Sequence, residues 1–263
     1  MKKTLRRKCL GLPKTLKPNI IPLQSNLKET LNQLHHTRAI LFDLDGTLLD
    51  STDLILQCFR HSWETVCGFN HSRETLVQTF GTPLRSAMHR LLLTGISSDD
   101  RSLTDPIEAN NAVVDRLLAE YRTYNLANHD SLARPFEGTC NVLGELRRRG
   151  YSIGIVTSKS RELALRGLKL CSLDKLIDSA VFLEDTQSHK PDPEPILAAL
   201  EKLRQPAHTA AYVGDSHHDI VAARAAGVLA VAALWGPSPR NYLERENPDL
   251  VAESIDDLLE FFN

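Results

Sequence analysis

The stretch Ala39-Ile40-Leu41-Phe42-Asp43-Leu44-Asp45-Gly46-Thr47-Leu48-Leu49-Asp50-Ser51 decides how the rest of the chain is read. Ala39 to Phe42 are apolar without polar alternation, the pattern of a central parallel strand covered on both faces. Asp43 and Asp45 stand two residues apart, so an extended backbone puts their side chains on the same side. Gly46 then allows a sharp turn, and Thr47 supplies a hydroxyl beside both acids. Two like charges at the end of a buried strand are costly unless a cation or a proton is shared between them. A solvated Asp-Gly turn would account for Asp45-Gly46 but leaves Asp43 unexplained. The stretch therefore reads as a strand that delivers two carboxylates to a site.

Downstream, Asp50-Ser51-Thr52-Asp53 is rich in helix N-cap residues, and Ile55, Phe59, Trp63 and Val66 recur at helical spacing up to Gly68. Arg73 to Phe80 and Leu84 to Leu93 read as two further helices, broken by Gly81-Thr82-Pro83. A longer helix is expected from about Pro106 to Asn125, with Val114, Leu117, Leu118 and Tyr121 on one face. Residues 51–134 are thus helical in pattern throughout and read as an inserted helical domain, with polar hinges at Asp50-Ser51 and near His129–Pro135. From Glu137 the rhythm becomes helix-strand alternation. Strands are expected at Tyr151–Val156, Ser179–Leu183, Ala210–Val213 and Val228–Leu234, with Gly167 and Gly227 punctuating helices and a last helix opening at Ser254. Alternation of this kind implies right-handed crossovers and a doubly wound α/β fold, Rossmann-like, with helices on both faces of a parallel sheet. The core so read comprises residues 38–50 and 135–263.

The chain of 263 residues is 42% hydrophobic and 24% charged, ordinary for a globular protein, and its net charge of −2 hides an asymmetry. Residues 1–38 carry nine Lys/Arg against Glu29 alone, which leaves 22 basic and 32 acidic residues for the remainder. An acidic body argues against nucleic-acid binding by the main domain. Residues 1–37 read as a basic extension whose first two dozen residues form a flexible tail. Pro13, Lys14, Lys17 and Pro18 break any apolar core of a signal peptide, and no apolar run reaches the length of a membrane span. Five scattered cysteines without a Cys-x-x-Cys pair read as reduced thiols in a cytoplasmic protein.

Four strand ends carry polar signals: Asp43 and Asp45, Thr157-Ser158, the proline-punctuated loop holding Lys190, and Asp215 followed by Asp219. In a doubly wound sheet ligands bind at the carboxyl ends of the strands, so these pieces should meet in one cleft. Acids, one lysine and two hydroxyls suit a hard cation plus a phosphoryl group. Mg²⁺, which takes oxygen ligands, fits Asp43, Asp45 and Asp215 better than any His or Cys set. Lys190 would balance the charge of the nucleophile and of the transferring oxygens. Asp219 could reach the metal or merely cap a helix, and His217-His218 read as solvated.

Taken together, these pieces resemble the haloacid dehalogenase-like superfamily over roughly residues 38–262. Asp43-Leu44-Asp45-Gly46-Thr47 looks like its first motif, Val156-Thr157-Ser158 its second, Lys190-Pro191-Asp192-Pro193 its third, and Gly214-Asp215-Ser216-His217-His218-Asp219 its fourth. The insert is similar to the small helical cap of phosphoglycolate-phosphatase-like members. The resemblance implies that Asp43 attacks phosphorus to form an aspartyl phosphate. Asp45 then protonates the leaving group and activates the hydrolytic water, while also binding Mg²⁺ through its backbone carbonyl. It makes Thr157 and Lys190 catalytic, Asp43, Asp45, Asp215 and Asp219 the metal set, and Thr47 and Ser158 substrate contacts. Thr79 to Arg85 looks like the family's substrate-facing loop, in which Arg85 would hold a second anionic group. Tyr124-Asn125 with His129-Asp130, Thr157-Ser158-Lys159 with Gly167-Leu168, and Gly214 to Ile220 look similar to the family's inorganic pyrophosphatases. The expected substrate is a small phosphorylated metabolite, 2-phosphoglycolate-like, or pyrophosphate. A phosphomutase of the same family is the alternative, ahead of a non-catalytic binding protein, and monomer and homodimer stay open.

Overall fold

The structure, a computed structural model, describes residues 27–95 and 106–263. A first helix α1 (Leu27–His36) leads into β1 (Ala39–Phe42), and a two-residue strand β2 (Leu49–Asp50) follows the Asp43–Leu48 turn. Four helices come next: α2 (Thr52–Cys67), α3 (Arg73–Val77), α4 (Leu84–Gly95) and α5 (Pro106–Leu132). The chain returns through β3 (Arg134–Pro135) to α6 (Thr139–Arg148), β4 (Ser152–Val156), α7 (Arg161–Leu170) and β5 (Ser179–Val181). It closes with α8 (Glu194–Leu203), β6 (Ala210–Gly214), α9 (His217–Ala226), β7 (Leu229–Ala233), α10 (Arg240–Glu244), β8 (Leu250–Ala252) and α11 (Asp257–Phe261).

Six strands form one parallel sheet in the order β5-β4-β1-β6-β7-β8. The chain works outward from β1 to β4 and β5, then crosses back to build β6, β7 and β8 on the other side. β1 therefore stands at the reversal of strand order, where a crevice opens at the carboxyl end of an α/β sheet. The pleat explains why β1 has no polar face. Ile40 and Phe42 join the apolar layer built by Val142 and Leu146 of α6, Leu168 of α7 and Leu258 of α11. Ala39 and Leu41 join the opposite layer, with Ile196 and Leu200 of α8 and Ile220 and Ala223 of α9. A strand sandwiched between two such layers must be apolar at every position.

The helices α2–α5 have an apolar cluster of their own around Trp63, Phe59, Met88, Leu117 and Tyr121. Phe59 and Tyr121 meet edge to face with ring centroids 5.3 Å apart. α5 runs on to Leu132, past the Asn125 at which the sequence pattern fades, because Asn125 and His129 continue its buried stripe as polar residues. The two expected hinges are not loose loops: β2 and β3 pair antiparallel, Asp50 opposite Arg134 and Leu49 opposite Pro135. β8, three residues long at the sheet edge, has no counterpart in the sequence reading. Gly167 is not helix punctuation but lies inside α7, where an added Cβ would stand 2.8 Å from Leu49 Cδ1 and 3.6 Å from His129 Nε2. Its missing side chain lets α7 pass close to the hinge and to the end of α5.

Within the basic extension, Leu27–His36 is a helix that lies near β6 and β7, with Leu34 against the core. The tail expected over the first two dozen residues lies outside the described residues. No helix among the described residues is long and apolar enough to cross a membrane.

Candidate active site

The carboxyl end of β1 delivers the first two acids. Asp43 N–H still donates to Val213 O of β6 at 2.9 Å, so the ladder holds its backbone extended while its side chain is buried. Gly46 then adopts φ +88°, and a Cβ there would fall 2.5 Å from Asp215 Oδ2. Backbone sign and space both demand glycine at this position. Gly236, in the loop after β7, approaches the Asp215 side chain from the other direction, a role nothing in the sequence reading anticipated.

Asp43, Asp215 and Asp219 converge, each offering a carboxylate oxygen within 4.8 Å of the others, and all three are buried. Lys190 enters this cluster from its loop: Nζ donates to Asp43 Oδ1 at 2.7 Å, Asp219 Oδ1 at 2.7 Å and Tyr212 Oη at 3.0 Å. Burial disfavours the Lys190 charge, but Asp219 and Asp43 outweigh it and hold its pKa well above the ordinary value. On protein charges alone, three buried carboxylates share one ammonium. Burial pushes Asp43 up to about 7, against the pull of Lys190. Burial also raises Asp215 well above the carboxylate range, with Asp43 and Asp219 adding to the effect. Asp219 goes the other way, because Lys190 and Ser216 overcome its burial.

Asp215 Oδ1 accepts from Thr47 Oγ1 at 2.8 Å, whereas Oδ2 is buried without a hydrogen-bond partner. An all-oxygen donor set, short of positive charge and holding an orphaned carboxylate oxygen, fits a magnesium ion. Asp219 fits less well than its neighbours. Its Oδ1 is taken by Lys190 and Tyr212, and its Oδ2 by the N–H and hydroxyl of Ser216 at the start of α9. Those bonds make it a holder of Lys190 and a helix cap.

Asp45 stands apart from this cluster. Its Oδ1 accepts from Ser51 Oγ at 2.6 Å and from Lys159 Nζ at 2.8 Å, and Oδ2 has no protein donor among the described residues. Asp43 and Asp45 both line a cavity of about 150 Å³ between the sheet end and the helical insert. Thr157 lines it too, its Oγ1 accepting from Lys159 N at 3.2 Å with the hydroxyl hydrogen still to place.

Of the three expected substrate contacts, Ser158 lines the cavity, and Arg85 and Thr47 do not. Arg85 donates to Asp115 Oδ1 at 2.5 Å on the exposed side of the insert and does not line the cavity. Thr47 is fully buried and commits its hydroxyl to Asp215, so it orients that acid rather than facing substrate. Ser158 lines the cavity, but its hydroxyl donates to Gly81 O at 2.7 Å and so ties the loop after β4 to the insert. Lys159 was visible in sequence only as part of a resemblance, and its partner Asp45 lies 114 positions away. Tyr212 had a signal, a lone phenol in an otherwise apolar strand.

His218 is buried rather than solvated, with neither ring nitrogen partnered, and burial drives its pKa down to about 4. A base whose folded pKa is depressed stabilises the fold fully above its ordinary value of 6.5, and that stability is lost as pH falls toward 4. The His218→Phe variant should therefore gain up to about 3 kcal/mol relative to wild type between pH 6.5 and 4. Denaturant melts at fixed pH values check this, and a difference independent of pH refutes it.

The sequence of this chain matches the haloacid dehalogenase-like hydrolase family over residues 40–233, and the chain belongs to that family. Among its relatives, the PpaX protein of Caldanaerobacter subterraneus subsp. tengcongensis is 41% identical over 221 residues, covering 84% of this chain and 92% of the relative. The pyrophosphatase PpaX of Halalkalibacterium halodurans is 35% identical over 222 residues, covering 84% and 95%. In fold the chain is similar to a predicted phosphoglycolate phosphatase of Haemophilus somnus 129PT, with TM-score 0.77, 21% identity and coverage of 87% and 99%. A haloacid dehalogenase-like family hydrolase of Streptococcus pneumoniae matches with TM-score 0.71 and 25% identity, covering 87% of this chain and all of that one.

Proposed function

We propose that this chain is a magnesium-dependent phosphatase whose principal substrate is inorganic pyrophosphate, hydrolysed through an aspartyl phosphate on Asp43. The observation that carries the reading is the contrast between the two aspartates. Asp43 sits against Lys190 inside the charged cluster, and Asp45 sits outside it at the cavity wall with one oxygen free of protein donors. With Lys190 and a bound cation beside it, Asp43 is held ionised and can attack. Asp45 pairs with Lys159 and Ser51 through Oδ1 alone, which leaves Oδ2 to carry a proton.

Asp43 Oδ attacks phosphorus while the bond to the leaving oxygen breaks, and Asp45 gives that oxygen its proton. Asp45, now a carboxylate, takes a proton from water, which attacks the phosphorus of the acyl phosphate, frees phosphate and restores Asp43. Magnesium would be held by the carboxylates of Asp43 and Asp215 and the backbone carbonyl of Asp45, and when bound would neutralise the transferring phosphoryl charge. Lys190 keeps Asp43 oriented, Thr157 donates its hydroxyl to a phosphoryl oxygen, and Ser51 and Lys159 fix the rotamer of Asp45. The helical insert acts as a cap that excludes water, tied to the sheet by Ser158 and Gly81 and by the Arg166–Asp130 pair at 2.8 and 2.9 Å.

Pyrophosphate is favoured over other small phosphates because the PpaX relatives match this chain over 92% and 95% of their own length. The test is phosphate release by the purified protein from pyrophosphate, 2-phosphoglycolate and phenyl phosphate, with magnesium or with a chelator. Turnover that needs magnesium and has its highest kcat/KM on pyrophosphate is the expected result. Turnover of none of the three defeats the proposal.

A further inference from the structure

We infer that Arg122 and Asn125 of α5 form a subsite for the second anionic group of the substrate, the one that is not attacked. The inference rests on the phosphatase reading above and adds to it the residues that discriminate among substrates. Arg122 and Asn125 stand three positions apart, so they share a helix face, and both line the cavity that holds Asp43 and Asp45. Of the side chains that the insert contributes to that cavity, Arg122 is the single cation and none is acidic, among the described residues. Arg85, by contrast, spends its guanidinium on Asp115. Arg122 has no carboxylate partner among the described residues, so its five N–H donors are available to a ligand.

Asn125 gives the second, independent observation. It is 2% exposed, its Oδ1 has no hydrogen-bond partner, and its Nδ2 lies 3.6 Å from Cys58 Sγ. Burial pushes the Cys58 thiol up to about 12, so that sulfur carries a hydrogen at any working pH. A thiol sulfur accepts weakly but can donate, and the amide oxygen is the acceptor it needs. Turning the carboxamide over satisfies both groups: Cys58 S–H donates to Oδ1, and the two N–H donors of Nδ2 are left for a ligand. An amide donor and a guanidinium on one helix face suit a phosphoryl or carboxylate oxygen pair. The attacked phosphoryl group stays at Asp43 and Lys190, on the sheet side, and the distal anion meets α5.

The test is steady-state kinetics of magnesium-loaded wild type, Arg122→Ala, Arg122→Lys and Asn125→Ala on three substrates. Pyrophosphate and 2-phosphoglycolate carry a second anionic group, and phenyl phosphate does not. Arg122→Ala should lower kcat/KM for pyrophosphate at least tenfold more than for phenyl phosphate, with most of the loss in KM, and Arg122→Lys should recover part of it. A matching loss on 2-phosphoglycolate assigns a general anion reader, and a loss confined to pyrophosphate assigns a phosphoryl reader; both support the subsite. Equal factors on all three substrates, or no change on any, overturn it. Arg122 is exposed, so its variants keep the test decisive if melting shows that Asn125→Ala is misfolded. Wild-type inactivity on all three substrates is a separate result, which overturns the phosphatase reading and the subsite with it.

Discussion

Asp43→Asn should lower kcat on pyrophosphate by about 10⁴-fold or more while leaving the protein folded and slightly more stable without magnesium. The kinetic half follows from chemistry. An amide oxygen is a poor nucleophile toward phosphorus, and no other carboxylate can take its place. Asp215 does not line the cavity and is held by Thr47 through Oδ1, Asp219 is saturated by Lys190, Tyr212 and Ser216, and Asp45 is the proposed proton donor. The stability half follows from the charge count. Asp43 is pushed up to about 7 by burial, with Asp219 and Asp45 adding to the rise against the pull of Lys190, so the site works against its ionised form unless a cation is bound. An isosteric neutral amide removes that repulsion and can still accept from Lys190 Nζ. Purified variant and wild type, compared by phosphate release and by thermal melting with a chelator present, test both halves. A kcat within tenfold of wild type ends the case for Asp43 as nucleophile. A large drop in melting temperature would show that it was chiefly structural.

Much of the frame behind this prediction was legible in the sequence because it depends on local pattern. An unbroken apolar run can be a central strand only where both faces are covered, and Ala39–Phe42 and Ala210–Gly214 announce themselves that way. The glycine of Asp45-Gly46 was equally clear as a turn, though its second duty, making room for Asp215, involves a residue 169 positions away. What was not legible depends on contacts without a local signature. Nothing in Ser158-Lys159 says that one hydroxyl reaches Gly81 and the neighbouring ammonium reaches Asp45. Arg85 and Arg122 look alike in sequence, and only the position of Asp115 decides which is free to meet an anion. His217-His218 read as a solvated pair because two adjacent histidines on a turn cannot easily face one ion. The N-terminal turn of α9 instead packs His218 beneath the Gly81 loop, where an added Cβ on Gly81 would lie 3.6 Å from His218 Cβ.

Lys190 carries the second large effect, on stability rather than on chemistry alone. Its side chain is 1% exposed, and those of Asp43 and Asp219 are 6% and 0% exposed, so solvent offers the acids no substitute for the ammonium. Lys190→Met, similar in length but neutral, should cost about 3–5 kcal/mol, the range found when one partner of a buried ion pair is removed. In a domain of this size that corresponds to a fall of roughly 10 °C in melting temperature. The cost comes from the carboxylates left behind, not from lost packing, and this distinction is testable. Asp219→Asn introduced alongside Lys190→Met should restore part of the stability, because Asp219 is the acid most dependent on the lysine. Magnesium added to the single variant should also recover stability through Asp43 and Asp215. Additive losses in the double variant would mean that Lys190 holds the loop between β5 and α8 by packing, and that the acids do not need its charge. A less-than-additive loss, together with magnesium rescue, would show one electrostatic unit in which the lysine and a divalent cation each neutralise part of the same buried negative charge.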